Sequence, residues 1–273
     1  MRKRTGYWPV LFLCGFAFCC ARMVQADGEG HLPAAISIII DDLGKQFEDG
    51  QRVLALPGPV ACAFLPKARY TQQLANAAHD NGKEVLLHLP MDSVDGRRLD
   101  PGAVTLEMTE RQFVATVQAD LLSVPHAIGI NNHMGSLLTR HPGHMLWLMR
   151  EIRANQPMFF VDSRTTVATV ARQVAHETGV PNIERDVFLD NELDADAIAY
   201  QFERLLQLAR KQGVALALGH PHPQTLALLE REIPRLQQRG ISLLPVTELI
   251  QLQQEGEHRW QASWSPSHKD AKN

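Results

Sequence analysis

Short apolar runs alternate with longer segments of helical period along most of this 273-residue chain, and that alternation constrains its fold more than any other feature. The runs lie at residues 35–40, 60–65, 85–89, 127–130, 158–161, 214–218 and 241–244. They are dense in Ile, Val, Leu, Ala and Phe and lack polar alternation, as strands covered on both faces do. Helical segments fall between them at 69–81, 110–122, 143–154, 166–178, 194–212 and 224–239. Thr109 and Asp194 supply N-cap oxygens, and Gly82, Gly179, Gly213 and Gly240 supply stops. About seven strand–helix units in one domain predict an α/β fold, a distorted parallel (β/α) barrel. An open doubly wound sheet is the alternative, but Asp41-Asp42-Leu43-Gly44 stands where a Gly-rich phosphate loop would follow the first strand.

The N-terminus is expected to be removed before folding matters. Arg2, Lys3 and Arg4 precede an apolar stretch at 9–20, and Val24-Gln25-Ala26 offers small residues for cleavage, the layout of a signal peptide over 1–26. The stretch is short for a membrane span of about 20 residues, although an uncleaved anchor is the alternative. Cys19 and Cys20 suggest a lipoprotein signal, against which Phe18 counts. The expected location is therefore the periplasm or the exterior. Removal takes away four of 27 basic residues and none of the 30 acidic ones, leaving net −7. Such a surface neutralises phosphate poorly, so no nucleic-acid partner is expected. Cys62 is the one cysteine left, which excludes an internal disulfide framework. A domain over 27–254 and a polar, irregular tail over 255–273 complete the expected organisation.

Polar residues gather where the apolar runs end. The first ends in Asp41-Asp42, the third in His88-Leu89-Pro90-Met91-Asp92 and the fourth in Asn131-Asn132-His133. The fifth ends in Asp162-Ser163-Arg164 and the 214–218 run in Gly219-His220-Pro221-His222. Each has a structural reading when taken alone: paired acids cap helices, Asn residues make turns, and Asp162 with Arg164 makes an ion pair. Five on one rim point to a metal-assisted site, because functional groups of parallel α/β proteins collect at C-terminal strand ends. Imidazoles with one carboxylate suit zinc or a similar divalent ion, while a second carboxylate and a histidine serve as base and acid. No Gly-x-Ser-x-Gly elbow or His-Glu-x-x-His motif is present, and Cys62 lies inside an apolar run.

These segments resemble the divergent polysaccharide deacetylase family. The resemblance is carried by Ile38-Ile39-Ile40-Asp41-Asp42, Leu86-Leu87-His88-Leu89-Pro90-Met91 and Gly129-Ile130-Asn131-Asn132-His133-Met134-Gly135-Ser136. Phe160 to Thr165, Arg185 to Asp190 and Gly219 to His222 carry it further, over about 36–250. It implies the distorted barrel of the sugar deacetylases, with Asp41 as base, Asp42 and His88 as metal ligands and His220 as acid. The second ligand of the His-x-x-x-His pattern is replaced by Asp92, and His133 is the candidate substitute. Asp162 or Arg164 is expected to orient the acid or the base, and Asn131, Asn132 and His222 to contact substrate.

The expected protein is an exported hydrolase that removes acetyl from an N- or O-acetylated glycan, with a divalent cofactor, zinc by preference. The altered motifs leave open a catalytically degenerate carbohydrate-binding or regulatory module acting on cell-envelope partners. A metal-dependent phosphoesterase is a weaker third reading, disfavoured by the charge and the missing phosphate loop.

Overall fold

A computed structural model describes residues 34–155 and 157–264, with side chains to residue 257. The signal peptide expected at 1–26 and the last nine residues of the expected tail lie outside the described residues. The described residues form nine parallel strands: β1 (Ala35–Leu43), β2 (Ala61–Phe64), β3 (Val85–Met91), β4 (Ala127–Met134), β5 (Phe159–Asp162), β6 (Asn182–Glu184), β7 (Val187–Phe188), β8 (Val214–Gly219) and β9 (Ser242–Leu243). Their order is β6-β5-β4-β3-β2-β1-β8-β7, with β9 pairing the start of β1. The two ends of that order, β6 and β7, are joined by Arg185 and Asp186 alone. So short a link reaches roughly 10 Å, so the sheet must curl until its edges meet. Arg185 N donates to Asp162 O on one edge and Asp186 N to Leu216 O on the other, which completes the distorted barrel.

Among the described residues seven helices connect the strands, α1 (Phe47–Leu54), α2 (Thr71–Asp80), α3 (Glu110–Ser123), α4 (Pro142–Ala154), α5 (Ala171–Glu177), α6 (Ala195–Gln212) and α7 (Pro223–Glu232), and α8 (Val246–Trp264) follows β9. All seven apolar runs are strands. β6 and β7, too short to leave a pattern, are additional, as are α1 and α8. The segment at 166–178 becomes helical only from Ala171, because Thr166 and Thr169 hydroxyls accept from Ala168 N and Ala171 N and hold a turn. The helix expected over 224–239 stops at Glu232, before Pro234 and two 3-10 turns. α8 continues past Glu255, so residues 255–264 are helical where the sequence suggested an irregular tail. Among the described residues no helix is long and apolar enough to cross a membrane.

Side chains alternate between two cores. Ile36, Ile38 and Ile40 of β1, Leu87 and Leu89 of β3 and Phe160 of β5 pack outward into the layer beneath the helices. Ile39, Leu86, Phe159, Val161, Leu216 and Leu218 fill the interior, with Val246, Leu249 and Ile250 of α8 joining them. The same period of two sets which side chains at the strand ends face the interior. Asp41, His88, Ser163 and His220 continue the inward phase, and Asp162 continues the outward phase of Phe160.

Gly129 of β4 shows how closely the interior is packed, since an added Cβ would lie 2.6 Å from Cε2 of Phe159. Gly129→Ala is therefore expected to destabilise by roughly 1–3 kcal/mol. Gly143→Ala, in the first turn of α4 with nothing within 4 Å of its Cβ position, should instead stabilise by roughly 0.5–1 kcal/mol. Denaturant unfolding of the two variants tests the contrast.

Candidate functional site

The C-terminal strand ends enclose a cleft of about 380 Å³ lined by Asp41, Asp42, His88, His133 and His220 among others. Asp41 is inward-facing and 2% exposed. Asp42 should point outward by strand phase, but its φ of 60° and the register shift between Ile40 and Leu43 turn it back to the cleft. A second irregularity matters as much. Val85 pairs with Ala127 but Leu86 with Gly129, so Ile128 is an extra residue in β4. That bulge places Asn131 beside His88 and His133 beside Pro90.

Three atoms meet at the centre. Asp42 Oδ1 lies 3.2 Å from His88 Nε2 and 2.9 Å from His133 Nδ1, and the two nitrogens are 3.1 Å apart. The opposite ring nitrogens identify what these atoms carry. His88 Nδ1 is 2.9 Å from the acceptor Asn131 Oδ1, and His133 Nε2 is 3.2 Å from Asp100 Oδ2. Each imidazole thus keeps its proton on the far nitrogen and turns a lone pair inward. Asp42 Oδ1 is buried without a hydrogen-bond partner. Three electron-rich atoms facing one another require a positive charge between them. Ligands about 2.0–2.1 Å from a tetrahedral ion stand roughly 3.3 Å apart, so these separations and this donor set fit a small divalent cation.

Electrostatics agree with the geometry. Burial opposes ionisation of Asp42, yet His133 and His88 hold its carboxyl far below the ordinary range. Burial alone would lower His88, but the charges of Asp41 and Asp42 raise it. Burial pushes the Asp41 carboxyl up, against the pull of His88, His220 and the amide of Asn131. Asn131 Nδ2 donates to Asp41 Oδ1 at 2.7 Å while its carbonyl holds His88, so one fully buried amide positions both Asp41 and His88.

His220 faces the same cleft. Its Nδ1 lies 2.9 Å from Asp190 Oδ1, and its backbone N donates to Asp190 Oδ2 at 2.7 Å, which also accepts from Thr225 Oγ1. The carboxylate fixes the proton on Nδ1. Desolvation would lower this imidazole, but the hydrogen bond to Asp190 and the charges of Asp41, Asp190 and Asp42 raise it to about 9. Asp190, His220 and His222 also bring donor atoms within 4.8 Å of one another. Both oxygens of Asp190 are already committed, however, so nothing there demands a cation.

The sequence-predicted set is thus brought together in its main part: Asp41, Asp42, His88, His133 and His220 share one cleft. Three assignments need correction and two are refined. Asp162 does not orient His220 or Asp41; it points outward and accepts from Arg164 N and Thr169 Oγ1. Arg164 turns away, toward Glu184 at 3.6 Å. Asn131 positions Asp41 and His88 and does not line the cleft. Asn132 lines it but spends its amide on Met134 O and Ser163 N. His222 stands at the N-cap position of α7, without a side-chain cap hydrogen bond, and lines an adjoining cavity of about 190 Å³ that shares Asp42 and His220 with the cleft. Asp92, which stands where the second histidine of the pattern is expected, accepts from Leu106 N. Asp190 and Asp100 carry roles that no spacing announced; Asp100 also pairs with Lys45 at 3.0 Å.

A family model described as divergent polysaccharide deacetylase matches residues 38–250, and the chain belongs to that family. It is 35% identical over 219 residues to the uncharacterized protein YibQ of Escherichia coli (strain K12), covering 80% of this chain and 68% of that one. The fold is similar to that of the uncharacterized protein ATU2773 from Agrobacterium tumefaciens C58, with TM-score 0.76 at 20% identity over 81% of this chain and 91% of that one. It is also similar to peptidoglycan deacetylase PdaC from Bacillus subtilis, with TM-score 0.52 at 13% identity over 85% and 98% of the two chains.

Calorimetric titration of chelator-stripped protein should show one zinc ion bound per chain. His88→Ala and His133→Ala should abolish that binding, and Asp100→Ala should weaken it about 10- to 100-fold. In the stripped protein the His220 ring should titrate near 9 by NMR. Asp190→Asn should return it toward the ordinary value of about 6.5. Because the folded value is the higher one, the stabilisation it gives is complete below about 6.5 and fades as pH rises through 9.

Proposed function

We propose that this chain is an exported, zinc-dependent hydrolase that removes acetyl groups from an N- or O-acetylated glycan of the cell envelope. The observation that carries the reading is the meeting of Asp42 Oδ1, His88 Nε2 and His133 Nδ1 beside a buried carboxylate and a carboxylate-held imidazole. The family and the fold support a deacetylase-like hydrolase, and the sequence of residues 1–26 supports export.

Asp42, His88 and His133 would hold the ion, which when bound polarises an acetyl carbonyl and makes water more acidic. Asp41, raised by burial and steadied by Asn131, accepts the proton of the attacking water as its oxygen bonds to the acyl carbon. His220, protonated at neutral pH, donates a proton to the departing amine or alcohol as the carbon–nitrogen or carbon–oxygen bond breaks. Acetate and the free amine or hydroxyl are the products. The proton gained by Asp41 returns to solvent, and His220 regains one.

Acetate release from N- and O-acetylated glycans tests this. Zinc-loaded protein should release acetate, and Asp41→Asn and His220→Ala should each lower the rate about 10²- to 10⁴-fold. Glycan binding with no acetate release from any substrate would favour the carbohydrate-binding module instead, a reading kept open by Asp92 standing where a second ligand histidine is expected.

A further inference from the structure

Among the described residues, the buried side-chain atoms without a hydrogen-bond partner are Asp42 Oδ1, both carboxylate oxygens of Asp120 and Ser163 Oγ. Two of these residues have an account in nearby cationic chemistry. Asp42 Oδ1 faces the two imidazole nitrogens, and Asp120 has the Lys67 ammonium 2.8 Å away. Ser163 has neither. An unsatisfied buried hydroxyl costs roughly 1–3 kcal/mol, so it needs a reason.

Its position supplies one. Ser163 is 1% exposed and lines the cleft. It comes directly after β5 in the inward phase of Val161, two positions beyond the Asn131–Val161 pair, just as His133 stands two beyond Asn131 on the neighbouring strand. Its backbone is clamped: N donates to Asn132 Oδ1 at 2.9 Å and O accepts from Arg185 Nε at 2.7 Å. The other hydroxyls of the cleft are engaged. Ser93 donates to Asp95, Ser136 accepts from Val94 N and Thr165 donates to Met134 O.

The strand order divides the cleft into walls. β1, β3 and β4 carry the base and the metal-ligating atoms, and β8 leads to His220. The remaining wall, from β5 round to β7, presents Ser163 and the ring of Phe188. Arg185 ties these two together, since its guanidinium carbon lies 4.0 Å from the centre of the Phe188 ring while its Nε holds the Ser163 carbonyl. We propose that Ser163 is a substrate-binding residue whose hydroxyl donates to an oxygen of the acetyl group while the Phe188 ring receives its methyl. This rests on the deacetylase reading and adds to it a wall built for the acyl group.

The test uses acetate, the acyl product common to every acetylated glycan, titrated by NMR into zinc-loaded wild type and Ser163→Ala. Thermal unfolding of both proteins is measured alongside. Acetate affinity should fall about tenfold in the variant, the loss of one hydrogen bond of roughly 1.4 kcal/mol. The unfolding temperature should stay the same or rise, because the substitution removes an unsatisfied group. Equal affinity in the two proteins, or no acetate binding by wild type, overturns the assignment even if glycan deacetylation is observed. A lowered unfolding temperature assigns Ser163 a structural role and also overturns it. Failure of the wild type to release acetate from any acetylated glycan overturns the deacetylase reading itself, and the acyl-binding role with it.

Discussion

A charge conflict at the mouth of the barrel organises everything around it. Asp42 Oδ1, His88 Nε2 and His133 Nδ1 stand 2.9–3.2 Å apart with lone pairs converging, an arrangement that only a proton or a cation makes favourable. The surrounding groups sustain the conflict. Asn131 and Asp100 hold the two imidazoles with their protons turned away, and burial denies water to Asp42 Oδ1. A site with a merely structural purpose would do better with one fewer acceptor. The same amide of Asn131 reaches Asp41, so His88 and Asp41 are fixed relative to one another by a single side chain.

The barrel brings these groups together through two small irregularities. Regular strands would send Asp42 outward and would place Ile130 rather than Asn131 beside His88. A left-handed residue at Asp42 and one extra residue at Ile128 reverse both outcomes. Closure matters too, because the two-residue link through Arg185 and Asp186 carries Phe188 and Asp190 round to His220. Without that link His220 would lack the carboxylate that holds its Nδ1 and raises its pKa.

Much of this is legible in the sequence. Strands covered on both faces appear as unbroken apolar runs, and every such run is a strand. The convergence of acids and histidines follows from parallel strands alone, which is why Asp41, Asp42, His88, His133 and His220 stand out. What the sequence hides is phase. A run such as Phe159-Phe160-Val161 is apolar on both faces, so nothing in it tells that Val161 points in and Asp162 points out. Asp162 therefore reads as functional, and its neighbour Ser163, on the inward phase, does not. Asp190 is hidden for another reason: β7 has two residues, too few to mark a strand end. The bulge at Ile128 leaves no composition signal, and the separate parts played by Asn131 and Asn132 depend on it.

Anomalous diffraction at the zinc absorption edge, from crystals of the metal-loaded protein, tests the central claim most directly. The account predicts one peak bonded to Asp42 Oδ1, His88 Nε2 and His133 Nδ1 at about 2.0–2.2 Å, with Asp41 and His220 free of the ion. An ion held by Asp190, His220 and His222, or no peak in fully loaded crystals, would contradict it.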